Sequence, residues 1–398
     1  MKTPVYIDLF AGCGGLSLGL MNSGWKGLFA IEKSKEAFQT LKYNLIEKKH
    51  HFEWPRWLPV KNHCIDEFIK EYRENLEYLS GHIDLVTGGP PCQGFSSAGK
   101  RNEDDERNKL IDSYIEFISI IRPRILFFEN VKGFTNGFKS KSTKGQVYSK
   151  YVWDKLTEIG YKVHGEILDF SEFGIPQRRK RFILVGSLIG ETKQFFEKLK
   201  EQRIGFLKSK GINVPVTVGD AISDLLQKNG VMESPDTKNF EAGTYSKQRS
   251  GYQKLMRENL NCTGLVADSH RFAKHKKETR RKFAYLIENA PRNKELGYLL
   301  QRRYRIKKRT VVLLDLNSVS PTLTTLPDDC IHYSEPRILT VREYARIQSF
   351  PDWFEFKAKY TTGNTARHNE VPRYTQVGNA VPPLFGEQCG LVLEEMNN

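Results

Sequence analysis

Residues 88–96 read GGPPCQGFS and follow the short apolar run 83–86. Gly88 and Gly89 admit backbone angles closed to other residues. Pro90 and Pro91 each fix φ, and Pro91 also presses Pro90 toward an extended conformation. A strand that runs into such a segment holds the next side chain, Cys92, at a set place on the rim of a sheet, and Gly94 then frees the chain to turn as a loop. A rigid approach, a thiol and a hinge are what a positioned nucleophile needs. A buried structural thiol in a tight turn is the commoner fate of a lone cysteine, and these residues alone leave both uses open.

Two further groups could do chemistry. In DLFAGCGGLSLGL, Gly12, Gly14 and Gly15 follow an apolar run, and the next such run ends at Glu32, twenty residues after Gly12. Glycines for close backbone approach, then a carboxylate for ribose hydroxyls, are the logic of a nucleoside-cofactor site. Ser17 stands where the third glycine of the dinucleotide fingerprint belongs, so the motif does not separate a nicotinamide cofactor from S-adenosyl-L-methionine. In ILFFENV (125–131) an apolar run ends in Glu129. Partial desolvation of such a carboxyl raises its pKa and lets it share a proton. PQRRKRFILV (176–185) sets Gln177, Arg179 and Arg181 before another apolar run; by itself 178–181 reads as a solvated charge run.

These residues need elements to position them. Strands are predicted at 5–10, 28–31, 83–87, 125–128 and 182–185, with helices at 16–21, 36–45, 65–79, 111–121 and 151–159. That alternation predicts an α/β fold with a doubly wound, mostly parallel sheet, in which ligands sit beyond the carboxyl ends of the strands. The rhythm breaks after Ser187. The chain from 188 to about 320 is rich in Lys, Arg and Asn, order returns near SPTLTT (320–325), and 341–350 has helical spacing stopped by Pro351. The expected division is 1–187 plus 372–398 as one domain and 188–371 as a second, smaller one.

Composition narrows the class. The 398 residues are 39% hydrophobic, with a mean hydropathy of −0.53, which fits a globular protein without a membrane-spanning run. The N-terminus enters a strand pattern at once, so no signal peptide is expected. The six cysteines are scattered without a C-x-x-C pair, which fits the reducing cytoplasm rather than a disulfide framework or a zinc ribbon. His50, His51, His63 and Cys64 match no standard metal-ligand spacing. The net charge of +15 suits a polyanion partner. Within 271–309 there are fifteen Lys or Arg against three Glu, interleaved with aromatic residues. This reads as a nucleic-acid face or as a solvated basic helix.

Taken together, FAGCGG, GGPPCQGFS, ENV, QRRKR and GNAVPP (378–383) resemble, in order and rough spacing, the DNA cytosine-5 methyltransferase family, over the whole chain apart from the variable 188–310 segment. The resemblance implies a Rossmann-like catalytic domain that binds S-adenosyl-L-methionine and a smaller target-recognition domain. Cys92 would then be the nucleophile that adds to cytosine C6, Glu129 the group holding N3 and the exocyclic amine, and Arg181 its partner, with Arg179 as a second candidate. Phe10 would stack on the adenine and Glu32 would hold the ribose. Ala11, Gly12, Gly14, Gly15, Ile65, Pro91, Leu110, Asn379 and Val381 would complete the cofactor site, and no metal is required. The base must leave the duplex to react, and residues 94–110, with Lys100, Arg101 and Arg107, resemble the family's flap over it.

Two positions depart from the family pattern. Cys64 stands where an aspartate usually accepts the adenine amine, and Lys33 stands where some relatives have an aromatic residue. The implied partner is double-stranded DNA, the implied state a monomer in the cytoplasm, with a restriction endonuclease as a companion activity. The tRNA-modifying branch of the family and a catalytically silent DNA-binding regulator are the competing readings. The long basic segment favours duplex DNA over tRNA, and the complete catalytic motifs count against a silent protein.

Overall fold

The computed structural model of the chain describes residues 3–91, 109–136, 147–260, 266–304, 306, 311–362 and 370–398. The chain forms two compact units: residues 1–169, 180–203 and 386–398 make the first, and 170–179 with 204–385 the second. Among the described residues no helix is long and apolar enough to cross a membrane.

The first unit is built on a six-stranded sheet in the order β2-β1-β3-β4-β6-β5. The strands are β1 (Val5–Leu9), β2 (Lys26–Ile31), β3 (Leu85–Gly88), β4 (Ile125–Val131), β5 (Lys162–Asp169) and β6 (Lys180–Ser187). The first four pair in parallel, and β6 runs antiparallel between β4 and β5. The mostly parallel sheet predicted from the alternating pattern is therefore present, and its strands switch sides at β1. Helices α1 (Gly15–Asn22), α2 (Lys35–Leu41), α3 (Ile65–Glu71), α4 (Arg73–Tyr78), α5 (Lys109–Ile121), α6 (Tyr148–Glu158) and α7 (Lys193–Ser209) supply the crossovers and flanks. The apolar sides of α3, α4, α5 and α6 meet the strands in one cluster that includes Ile7, Leu9, Phe29, Phe68, Val86, Phe117 and Phe128.

Register does the positioning. Leu9 pairs with Ile31 on one side and Gly88 on the other, and Gly88 pairs with Phe128. The next residue along each of these strands is Glu32, Phe10, Gly89 or Glu129. One row of backbone hydrogen bonds therefore delivers four site candidates to the same edge of the sheet.

Two local predictions needed correction. The single helix predicted at 65–79 breaks at Tyr72 (φ −113°, ψ 23°), whose ring packs on Trp57, His63 and Phe68. Strand β5 went unpredicted because its residues are half-exposed and include Gly165, where an added Cβ would meet the Phe182 ring at 2.8 Å.

The second unit carries a three-stranded antiparallel sheet (Val231–Glu233, Glu241–Thr244 and Val266–Arg271) and several helices. Its centre is charged. The helix Val341–Ile347, closed by a Thr340–Glu343 capping box, is buried at every residue. Arg346 binds Asp352 through two nitrogens at 2.5 and 2.7 Å, Asp224 at 3.2 Å and the Ala221 carbonyl at 2.9 Å. Arg342 reaches Asp268 and the Phe354 carbonyl. Removing one partner of such a group strands the other charges without water. Arg346→Leu should therefore destabilise this unit by about 3–5 kcal/mol. Urea denaturation followed through the fluorescence of Trp353, the one tryptophan in the unit's sequence, measures this.

Candidate active site

The glycine turn after β1 is held from both ends. Phe10 and Gly12 take left-handed backbone angles (φ 57° and 56°) and Gly14 does the same at 91°. The Gly12 amide donates to Glu32 Oε2 at 2.9 Å and the Ser34 amide donates to Glu32 Oε1 at 2.6 Å. Each carboxylate oxygen retains acceptor capacity for a further donor such as a hydroxyl. Burial raises the Glu32 pKa, while the amides it accepts from oppose that rise. The glycines differ in use. A Cβ at Gly14 would strike Leu45 at 2.9 Å, so this glycine lets α1 pack, whereas a Cβ at Gly12 would meet no protein atom within 4 Å. The space in front of Gly12 is open, as the approach of a ligand to the backbone requires.

Ser17, which breaks the dinucleotide fingerprint, has its own task. Its hydroxyl donates to Asp8 at 2.5 Å and Thr87 donates to the other Asp8 oxygen at 2.9 Å, all three being buried. Burial pushes the Asp8 pKa up to about 6. Ser17 thus ties the first turn of α1 to the centre of the sheet.

At the same edge, Glu129 Oε1 lies 2.8 Å from Arg181 Nε, with both side chains under 15% exposed. Glu129 pairs with Ile183 in the antiparallel register, so Arg181, two residues away, shares its face of the sheet. Burial lowers the Arg181 pKa, and the Glu129 charge works against that shift. Gly89 lies against this carboxyl, since a Cβ there would come within 3.1 Å of Glu129 Oε2. The neighbouring Asn130, buried, donates to the Pro90 carbonyl at 3.3 Å and accepts from the Val131 amide at 2.8 Å. The GGPP segment is therefore fastened to the ENV strand, with Pro91 exposed beyond it. Cys92 and residues 94–108 of the flap lie outside the described residues.

Ile65 is buried, and Phe10 and Leu110 pack on the same apolar cluster. Cys64 caps α3 but makes no side-chain capping bond. The histidines considered as ligands are used internally: His51 bonds the Tyr6 hydroxyl at 2.9 Å and His63 the Pro59 carbonyl at 3.1 Å.

Arg179, Asn379 and Val381 belong to the second unit. There Arg179 is buried and donates to the Gly378 carbonyl at 2.9 Å. The preceding Gln177 accepts from the Leu323 amide and donates to Gln348, which in turn donates to the Val377 carbonyl at 2.9 Å. PQR, SPTLTT and GNAV are thereby sewn together. Gly378 has no room for a side chain, because a Cβ would meet the Thr324 carbonyl oxygen at 2.5 Å. Asn379 is exposed and Val381 is half-buried.

Comparison with known proteins agrees with this architecture. Residues 5–394 match the family model for C-5 cytosine-specific DNA methylases. The chain belongs to that family. Among its curated relatives is the type II methyltransferase M.XorII of Xanthomonas oryzae pv. oryzae, 30% identical, with 98% of this chain and 84% of the relative covered. Another is M.DdeI of Desulfomicrobium norvegicum, 31% identical, with 96% and 86% covered. In fold, the methylase matches a prophage-encoded chain of E. coli over the full length of both, with a TM-score of 0.66 and 24% identity. The resemblance drawn from the five motifs is thus borne out, as is the α/β class.

Sequence reasoning missed Asn130, Ser17 and Gln348. Asn130 could have been found, since a polar residue directly after Glu129 in a buried strand needs a partner. Gln348 could not, because its partners, the Gln177 side chain and the Val377 carbonyl, lie far along the chain. In this methylase Glu129→Gln keeps the shape but loses the carboxylate, so single-turnover methyl transfer should fall by roughly two to four decades while duplex binding falls much less. Wild-type turnover in the variant would reduce Glu129 to a strand-end residue.

Proposed function

We propose that this protein is a sequence-specific DNA cytosine-5 methyltransferase of a restriction–modification system, acting as a cytoplasmic monomer through a covalent bond between Cys92 and cytosine C6. The observation that carries this reading is the Glu129–Arg181 pair, lying against Gly89 in the segment that leads to Cys92. A carboxylate and a guanidinium with most of their surface removed from water are suited to a planar polar base. Among the described cysteines, burial pushes Cys13 and Cys330 up to about 12 and Cys389 far above its usual value, so none of these three is poised as a thiolate.

The chemistry follows from these groups. Cys92 Sγ, as thiolate, forms a bond to C6 of a cytosine turned out of the duplex. Glu129 shares a proton with N3, which draws electrons from C6, and the addition of the thiolate there breaks the ring's aromaticity and leaves C5 enamine-like. Arg181 fixes the carboxylate and presents its remaining donors to the base O2. S-adenosyl-L-methionine, when bound, would supply the electrophilic methyl group that bonds to C5, its sulfonium leaving as a neutral thioether. Loss of the C5 proton then breaks the C6–S bond and restores Cys92. The open face of Gly12 and the spare acceptor capacity of Glu32 suit a ribosyl ligand, with Phe10, Ile65, Pro91 and Leu110 available to its base and chain. We assign Asn379 and Val381 to the same ligand, and Arg179 to holding the Gly378 backbone beside them.

The 271–309 segment supplies the DNA face. Its helix Lys277–Asn289 turns Phe283, Leu286 and Ile287 into a small apolar cluster and leaves Lys277, Arg280 and Arg281 exposed. A companion restriction endonuclease fits the type II relatives.

Cys92→Ala should abolish methyl transfer and leave cofactor binding largely intact. A duplex carrying 5-fluorocytosine should trap the wild type covalently, because that C5 has no proton to lose. Trapping at another cysteine, or transfer to tRNA in place of duplex DNA, would overturn the assignment. Cys64 offers a separate test. Cys64→Asp should tighten S-adenosyl-L-methionine binding by about 0.5–1.5 kcal/mol, one net hydrogen bond, as read by calorimetry; unchanged affinity would mean that the adenine amine already has a partner.

A further inference from the structure

One guanidinium in the second unit is held between aromatic rings. Arg271, at the end of Val266–Arg271, lies with its Cζ 4.1 Å from the centre of the Phe240 ring and 3.8 Å from that of Tyr360. Its side chain makes no hydrogen bond or ion pair among the described residues. Its Nε is buried without a partner, while the two Nη groups remain open. A guanidinium carries five N–H donors in a fixed plane, and two flanking rings hold that plane in place while leaving its edge free.

The surroundings explain what the edge would meet. Lys274, exposed, sits 4.8 Å over Phe240 and Arg373 sits 4.3 Å over Tyr360. Arg373 is neutralised by Asp236, which also accepts from the Tyr360 hydroxyl at 2.9 Å. Arg271 and Lys274 have no acidic partner among the described residues. Two uncompensated cations therefore share one aromatic scaffold, and the more constrained of them presents a two-donor fork. Arg337, Arg342 and Arg346 in the same unit each bind a carboxylate, so Arg271 is set apart by its surroundings and not by its residue type.

We propose that Arg271 is a preset clamp for one backbone phosphate of the duplex, held ready by Phe240 and Tyr360 and assisted by Lys274; this rests on the DNA methyltransferase reading above. A guanidinium fork matches two phosphate oxygens. Holding it in advance removes the entropy cost that a free surface arginine meets on binding. A guanine edge offers a similar acceptor pair, but the adjacent second cation favours the charged ligand.

The test is the affinity of the full-length protein for its methylated-site duplex across a salt series, with R271Q and R271K beside the wild type. For R271Q the slope of log affinity against log salt should become shallower by about 0.9, the contribution of one phosphate. Affinity near physiological salt should fall on the order of tenfold, with the same cytosine methylated. R271K should keep the wild-type slope with weaker binding. A methylphosphonate scan should then find one linkage whose neutralisation weakens the wild type and leaves R271Q unaffected.

A wild-type slope in R271Q overturns the clamp. So does relaxed site choice matched by 7-deazaguanine substitution in the wild type, which would make Arg271 a base reader. If R271Q does not fold, R271K takes its place in the scan, and the absence of any linkage to which it responds less than the wild type overturns the clamp. A wild type that binds duplex without salt dependence would instead sink the DNA reading beneath the proposal.

Discussion

The site depends on one register. Ile31, Leu9, Gly88 and Phe128 are neighbours across four parallel strands, and the site candidates Glu32, Phe10, Gly89 and Glu129 each lie one residue later. Side chains alternate along a strand, so a one-residue slip of β4 would turn Glu129 to the opposite face and carry it away from Arg181. The strands that carry this register are buried on both faces: β3 and the first four residues of β4 are wholly buried. The Glu129–Arg181 pair is a consequence of that packing and contributes little to it, because removing both charges from water costs about as much as their attraction returns. Its retention at a sheet edge fits a working pair better than a stabilising one.

The second unit uses charge in two ways that composition cannot separate. Arg337, Arg342 and Arg346 are internal braces, each bound to at least one carboxylate. Lys274, Lys277, Arg280 and Arg281 face water. A net charge of +15 is read naturally as a surface property, yet part of the cationic content sits inside. The excess available to a polyanion is concentrated by that division, since the buried arginines carry their acids with them.

Most of the first unit was legible because its strands are short apolar runs punctuated by Gly and Pro, and these set the chain direction at the points where function lies. Residues 83–89 and 125–129 needed no tertiary information. Strand β5 and the break at Tyr72 were hidden because each is decided by a neighbour: Phe182 filling the gap at Gly165, and Trp57, His63 and Phe68 surrounding a turned-in ring. In the candidate site the glycines and Glu129 were legible as residue types with few other uses. The roles of Gln177 and Arg179 were not, since they follow from carbonyls and amides more than a hundred residues away, and no local pattern encodes a hydrogen bond to a distant backbone.

Cysteine chemistry shows why position, more than residue type, decides reactivity here. Cys13 lies inside the glycine turn, one residue from the open face of Gly12, yet it is buried and its thiol is pushed up to about 12. The same turn thus exposes a backbone edge at Gly12 and withdraws a thiol at Cys13, because successive residues of a tight turn point in different directions. Under the proposed mechanism, a reactive thiol at this turn would itself be a target for methylation. Burial of Cys13 would remove that side reaction without giving up a small residue where α1 must pack closely.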